Sequence, residues 1–297
     1  MNLDLLRSKM NKGSLIKETP SNKIIKGMIF AGCSFTWGQG LYYYSYLPSI
    51  VMPKPWEYDP SLIKETHLAH MKSVRFPRLV ANYFNTFELT QPWNGGSNER
   101  IVNWWEASLS SEPNTSNDKW DNAATKIDYS DISHLIFQFT QPHRCHITLL
   151  NQDNQPYEIQ YWSVYERKYR DDFSKWLKNN NMTDIAEYQA YYIKKSNDKV
   201  KTFLQEVEKR GIKTVVFTWP AENLDYIKND PWLSERLVNF KYNDITYDNI
   251  EALMRYNPEL EIIRDTDNFE NPPVDHHPSK KCHQVMADNI INHIKKM

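Results

Sequence analysis

Apolar residues fall along the chain in short unbroken runs that alternate with longer segments of three-to-four spacing. The run KIIKGMIFAG (23–32) predicts a buried strand, and FPRLVANYF (76–84) repeats its apolar positions at helical spacing. FELTQPWN (87–94) predicts a second strand, followed by SNERIVNWWEASL (97–109), a helix opened by a Ser/Asn cap. SHLIFQFT (133–140) predicts a third strand. The long segment 182–211 predicts a helix closed by Gly211, a residue suited to a left-handed C-cap. IKTVVFTWP (212–220) predicts a fourth strand stopped by Pro220, and LEIIRD (260–265) a fifth. The terminal SKKCHQVMADNIINHIKKM (279–297) is an amphipathic helix with Ser279 as its N-cap. Strands alternating with helices imply a mostly parallel sheet covered on both faces, hence an α/β fold in three layers. In such sheets ligands gather at the carboxyl ends of the strands.

Three insertions interrupt the alternation: 41–75, rich in Tyr and Pro; 111–130, polar and rich in Asn; and 145–181. Within the last, HITLLNQDNQPYEIQYW (146–162) places two alternating runs around a turn-rich centre and predicts a β-hairpin. Long connections in compact domains usually serve as lids or binding surfaces. No internal repeat or low-complexity linker divides the chain, so residues 23–297 are expected as a single domain after an extension at 1–22.

Composition narrows the function. The 297 residues are enough to bury a large core, and 36 basic against 37 acidic side chains leave a net charge of -1. Such a balance provides no global field for nucleic acid or an anionic membrane surface. Three widely spaced cysteines (Cys33, Cys145, Cys282) fit neither a disulfide framework nor a paired zinc site. Neither a signal-peptide pattern nor a run long enough to span a bilayer is present, so a cytoplasmic or virion-associated location is expected. Ten Trp and 18 Tyr exceed the needs of an ordinary core in so hydrophilic a chain, and some of these rings are candidates for a sugar-binding surface.

The first strand runs into GCSFTWGQG (32–40), which lacks the Lys-Ser/Thr ending of a P-loop, the GxGxxG of a dinucleotide site and the GxSxG of an α/β-hydrolase elbow. Ser34 then stands at the carboxyl end of a strand, where its hydroxyl faces the ligand crevice and the N–H groups of the turn face an incoming oxyanion. The alternative is that Ser34 only caps the helix that follows. A nucleophilic hydroxyl needs a base held by an acceptor, and VDHHPSKKCH (274–283) provides Asp275 two residues before His277. In an extended segment these two side chains point the same way, so the carboxylate can fix the imidazole tautomer.

These blocks resemble the SGNH hydrolases, the GDSL esterase and lipase superfamily. GCSFTWG (32–38) stands for the first block, GDSxTxG; DHHPS (275–279) for the last, DxxHP; and NGGSN (94–98) for the second. The likeness spans most of residues 24–296 apart from the insertions, and it implies a flavodoxin-like α/β/α sandwich of about five strands. It also implies a Ser34–His277–Asp275 triad, with oxyanion donors from the Ser34 N–H and from Gly96, or Gly95 as the alternative. Three departures accompany it. Cys33 stands where the family has Asp, and the Asp-to-His spacing is one residue short. The third block, GxND, has no Asn counterpart in FTQPHR (139–144). Asn98, Thr140 and Arg144 are the candidate replacements for that donor, whose loss typically costs about 10²- to 10³-fold in rate. Thr36 and Asn98 have a second reading as hydrogen-bonding scaffold around the turn.

Rival sites are fewer. HLAH (67–70), HRCH (143–146) and HHPSKKCH (276–283) cluster His with Cys, but no HExxH or third ligand completes a metal set. Cys33 precedes Ser34 by one position and is expected to point into the fold as a small buried hydrophobe. The resulting expectation is a serine esterase acting on ester-linked acyl groups, acetyl foremost, of a carbohydrate or small ester, without metal or organic cofactor. The expectation from another class is a non-catalytic carbohydrate-binding or structural protein on a degenerate hydrolase scaffold. The opening block and the composition are also similar to those of proteins encoded by tailed phages, which adds association with other virion proteins to the second expectation.

Overall fold

The computed structural model describes residues 26–45, 65–91, 96–109, 127–142, 146–160, 166–273 and 275–297. The strands among them are β1 (Gly27–Ala31), β2 (Phe87–Thr90), β3 (Ile132–Phe139), β4 (His146–Leu150), β5 (Pro156–Gln160), β6 (Lys213–Thr218), β7 (Phe240–Tyr242) and β8 (Ile245–Tyr247). The α-helices are α1 (Ser34–Trp37), α2 (Glu65–Val74), α3 (Phe76–Tyr83), α4 (Asn98–Leu109), α5 (Arg170–Asn179), α6 (Ile185–Lys209), α7 (Leu224–Asn229), α8 (Pro231–Ser234), α9 (Ile250–Tyr256) and α10 (Lys280–Ile294). The central sheet runs β2-β1-β3-β6 and is parallel at every junction.

Alternation along the strands divides the interior into two cores. Met28 and Phe30 of β1 face a core shared with Phe76 and Val80 of α3, Leu253 of α9 and Met286 and Ile290 of α10. Ile29 and Ala31 face the opposite core, built with Trp104 and Trp105 of α4 and Val200, Phe203 and Leu204 of α6. The result is the expected α/β/α sandwich. Because β2 and β3 flank β1 on opposite sides, the chain diverges at the carboxyl end of β1, where open α/β sheets form their crevice.

The expected fifth strand is absent from its place. Instead two 3-10 turns, Pro258–Leu260 and Ile262–Arg264, flank Glu261, which forms an isolated antiparallel bridge with Pro278; Leu260 and Ile262 are buried. Their apolar run reports burial, which a short turn satisfies as well as a strand does. Beyond β6 the edge is covered by residues 236–238: Val216 donates its N–H to Arg236 O at 2.9 Å and accepts at its own carbonyl from Val238 N–H at 2.8 Å.

The expected hairpin is formed by antiparallel β4 and β5, and its turn is organised by the Asn151 side chain, which accepts from the N–H groups of Asp153 and Gln155. Helix α6 has 25 residues, about 37 Å at 1.5 Å per residue, and runs antiparallel to β6 after the tight turn at Gly211 (φ +83°). Asn197 meets Asn98 at 3.4 Å, and Asn98 accepts the Thr140 N–H at 2.8 Å, so α6 passes the carboxyl end of β3 at Asn197. The turns before Asn197 therefore overhang the carboxyl edge, where Tyr188 and Tyr192 join Leu149 and Phe173 in a small accessory core. Residues 1–22, the expected extension, lie outside the described residues, as do most of 41–75 and 111–130.

A buried ion pair ties the layers to the turn after β1. Arg75 and Glu88 approach to 2.5 Å with side chains 5% and 2% exposed. Arg75 also donates to Trp37 O at 2.9 Å and to Thr90 Oγ1 at 3.1 Å. Glu88→Ala would strand a buried guanidinium and is expected to cost about 3–5 kcal/mol, read as a lower urea midpoint at unchanged m-value. A wild-type midpoint would contradict the role assigned to this pair.

His283 is fully buried on α10, accepts the Phe76 N–H at 3.1 Å and has its pKa lowered from 6.5 to about 3 by burial, reinforced by Arg75 and His277. The unfolded chain takes up a proton here below its ordinary pKa while the folded one does not. Stability from this group is therefore complete above 6.5 and is lost as pH falls toward about 3. Comparing unfolding free energies at about pH 7 and about pH 5, His283→Gln is expected to show a smaller loss than wild type. An equal loss in both would contradict the assignment.

Candidate active site

The nucleophile candidate sits where β1 ends. Ser34 opens α1, and Cys33 occupies the N-cap position with no side-chain cap, so the alternative in which Ser34 caps the helix does not hold. The Ser34 hydroxyl instead meets His277 Nε2 at 2.9 Å. Asp275 Oδ1 lies 2.5 Å from His277 Nδ1 and also accepts the His277 backbone N–H at 3.0 Å. This double acceptance is an Asx turn rather than the extended pair expected from spacing. It explains how a carboxylate two residues before the histidine reaches the ring: the chain bends over the side chain. Asp275 is 5% exposed and the His277 side chain 19%.

Backbone hydrogen bonds strap this turn to the rest of the sandwich. Ile262 N–H donates to His277 O at 3.0 Å, Ile263 N–H to Asp275 O at 3.2 Å, and Ser279 N–H to Leu260 O at 2.8 Å. Ser279 then caps α10 by accepting the Cys282 N–H. The residues expected as a fifth strand thus serve as the strut of the Asp275–His277 turn. On the other side, Phe35 packs edge-on against the imidazole with centroids 5.1 Å apart.

A polar cluster fixes the turn around Ser34. Thr36 donates its hydroxyl to Gln138 Oε1 at 2.5 Å, Gln138 Nε2 meets Cys33 Sγ at 3.3 Å, and Gln91 donates to Gly32 O. Thr36 is therefore scaffold, and Cys33 is buried under the turn as expected. A Cβ at Gly32 would stand 2.1 Å from Thr36 Oγ1 and 2.7 Å from Gln138 Oε1, so only glycine admits this cluster. Gly40 has φ +87°, and a Cβ there would lie 2.9 Å from Asp275 Oδ2. The same short loop thus carries Ser34 at one end and makes room for the Asp275 carboxylate at the other.

The candidate oxyanion donors separate. The Ser34 N–H is the first of an uncapped helix turn and is free of helical pairing. Gly96 lies immediately before Ser97, whose hydroxyl accepts the Arg100 N–H and caps α4. Asn98 is fully buried, its carbonyl oxygen taken by Thr140 N–H and its amide nitrogen turned to Asn197. Thr140 is buried as well, and its carbonyl accepts from Asn223 Nδ2 at 2.9 Å. Asn98 and the Thr140 backbone therefore join the start of α4 to the carboxyl end of β3. Gly95 and Arg144 lie outside the described residues.

Of HRCH only His146 is among the described residues. Among the described residues no three His, Cys, Asp or Glu side chains group at metal-holding distance. His276 turns away from His277 to pair with Glu261 at 2.6 Å. Gln138, Gln91, Gly40 and Arg75 were not among the residues singled out by sequence. For Gln138 a signal existed, an amide inside the apolar run SHLIFQFT; Arg75 had none, since its partner Glu88 alternates outward in sequence pattern.

No family model, curated protein or solved structure matches the chain. The site thus stands on its own geometry: a hydroxyl, an imidazole and a carboxylate in hydrogen-bonded series, next to an uncapped helix turn. Such a series is the arrangement that general-base activation of a serine requires, so a fluorophosphonate is expected to modify Ser34 and no other residue. Gly40→Ala, by displacing Asp275, should slow the modification about 10²-fold. Labelling that persists at the wild-type rate in Gly40→Ala, or that falls on Cys33, would contradict this reading.

Proposed function

We propose that the chain is a serine ester hydrolase of the SGNH type that removes acyl groups, acetyl foremost, from a carbohydrate. The single observation that carries the proposal is the unbroken relay from Asp275 through His277 to Ser34 at the carboxyl edge of a parallel sheet. Its agreement with the motif resemblance adds support, because the blocks at 32–38 and 275–279 are far apart in sequence and meet in space.

The mechanism follows from the geometry. Ser34 Oγ attacks the ester carbonyl carbon while His277 Nε2 takes its proton. The carbonyl oxygen gains the charge, for which the Ser34 N–H and the Gly96 N–H are the proposed donors. Asp275 holds the ring by its Nδ1 proton and stabilises the imidazolium. Collapse expels the alcohol, which takes the proton from His277, and leaves an acyl group on Ser34. Water then attacks that ester with His277 again as base, releasing the acid and regenerating the hydroxyl. Both steps use protein groups alone. An oxyanion hole built mostly from backbone N–H groups suits a small acyl group, which demands little besides those donors and a proton acceptor.

The second reading, a non-catalytic carbohydrate-binding or structural protein, draws on the engagement of Asn98 and Thr140 within the scaffold, which leaves no side-chain amide in the third-block role among the described residues. One assay separates the two. With a short-chain aryl acetate, Ser34→Ala should lose about 10⁴-fold or more in kcat, and Asp275→Asn a loss of about 10⁴-fold is expected from the wrong imidazole tautomer. Equal background hydrolysis by wild type and Ser34→Ala would overturn the esterase reading and favour the binding protein.

A further inference from the structure

One aromatic side chain beside the relay has no part in it. Trp219 follows β6 at the carboxyl edge, and its ring contacts Phe35 edge-on with centroids 4.4 Å apart. Phe35 is itself 5.1 Å from the His277 ring, so two ring contacts connect the indole to the base. The two packed rings differ in exposure: Phe35 is buried at 4%, whereas Trp219 is only partly buried. Its indole N–H meets no acceptor among the described residues.

The backbone of Trp219 is pinned from both sides. Its N–H donates to Phe139 O at 3.1 Å, and its carbonyl accepts from Glu251 N–H at 3.0 Å. Phe139 ends β3 and Glu251 lies in the first turn of α9, so the backbone that carries the indole is fixed to both elements at the carboxyl edge. A large ring held rigidly at a crevice rim, with one edge packed and a polar N–H left over, is suited to a ligand that is apolar on one face and hydroxylated at its edge. A pyranose ring has that chemistry: axial C–H groups stack on the indole and a ring hydroxyl accepts from Nε1.

We infer that Trp219 is the specificity-determining platform that stacks the sugar bearing the ester, setting the scissile bond over Ser34. The inference rests on the esterase reading and goes beyond it by assigning the carbohydrate to one residue. An acyl-pocket wall is the competing role for the same ring, and it would need only apolar surface. A phenylalanine would satisfy that role, whereas the platform also uses the indole N–H.

The test compares two substrates in wild type, Trp219→Ala and Trp219→Phe: a short-chain aryl acetate, and a panel of O-acetylated oligosaccharides read by acetate release. With Trp219→Ala, kcat/KM for the best panel member is expected to fall about tenfold further than kcat/KM for the aryl acetate. Trp219→Phe, which keeps the contact with Phe35, should lie between the two on the oligosaccharide. Equal losses on both substrates would make Trp219 a structural residue and overturn the inference. Full retention of oligosaccharide activity in Trp219→Ala would overturn it also. If wild type cleaves the aryl acetate but no panel member, the carbohydrate assignment fails and the esterase reading survives; if it cleaves neither, both fail.

Discussion

A single hydrogen bond, 2.9 Å between Ser34 and His277, closes a loop of 243 residues, and the rest of the molecule is arranged so that it can form. Neither partner is placed by its own segment alone. Ser34 depends on the register of β1 between β2 and β3, which sets the height of the turn at the carboxyl edge. His277 depends on the strut at 260–263, whose N–H groups hold the carbonyls of Asp275 and His277. Gly40 and Arg75 link the two halves, one by yielding space to the Asp275 carboxylate and the other by holding the Trp37 carbonyl just after Ser34. Closing so long a loop costs entropy that grows only slowly with its length, and the two cores flanking the sheet offset it.

The carboxyl end of β3 shows what the scaffold demands of its polar residues. Asn98, Asn197, Asn223 and Thr140 are buried beside one another where α4, α6, β3 and the segment after β6 converge. Buried amides are costly unless paired, so such a cluster fixes relative positions more sharply than apolar contacts do. Its consequence for chemistry is that the Asn98 carbonyl oxygen is taken by the Thr140 N–H and its amide nitrogen is turned to Asn197, joining the Gly96 segment to the end of β3. Charge stabilisation in the proposed reaction then falls on backbone N–H groups, whose direction is set by the helix turns at Ser34 and Asn98.

How much of this was legible in the sequence differs from residue to residue. The sheet was, because β1, β3 and β6 are apolar runs too short for helices and are separated by segments of helical period. That Ser34, Asp275 and His277 meet was legible because a hydroxyl, an imidazole and a carboxylate of this kind occur beside strong turn and cap signals. The strut at 260–263 was not, since Leu260 and Ile262 satisfy a strand pattern as well as a 3-10 turn. Asn98 was ambiguous for a different reason: a side-chain amide at a crevice serves equally as donor or as scaffold, and only the position of Thr140, 42 residues away, decides between them. Gly40 and Arg75 act on groups distant in sequence, and nothing local to either discloses the partner.

The proposal that Ser34 carries the acyl group is tested most directly by peptide mapping of protein acid-quenched soon after mixing with an activated acetyl ester. The account predicts an acetyl group on the peptide containing Ser34, formed in wild type and not in His277→Ala. Acetylation confined to Cys33 or to surface lysines, or an adduct at Ser34 that forms equally well without the imidazole, would contradict it.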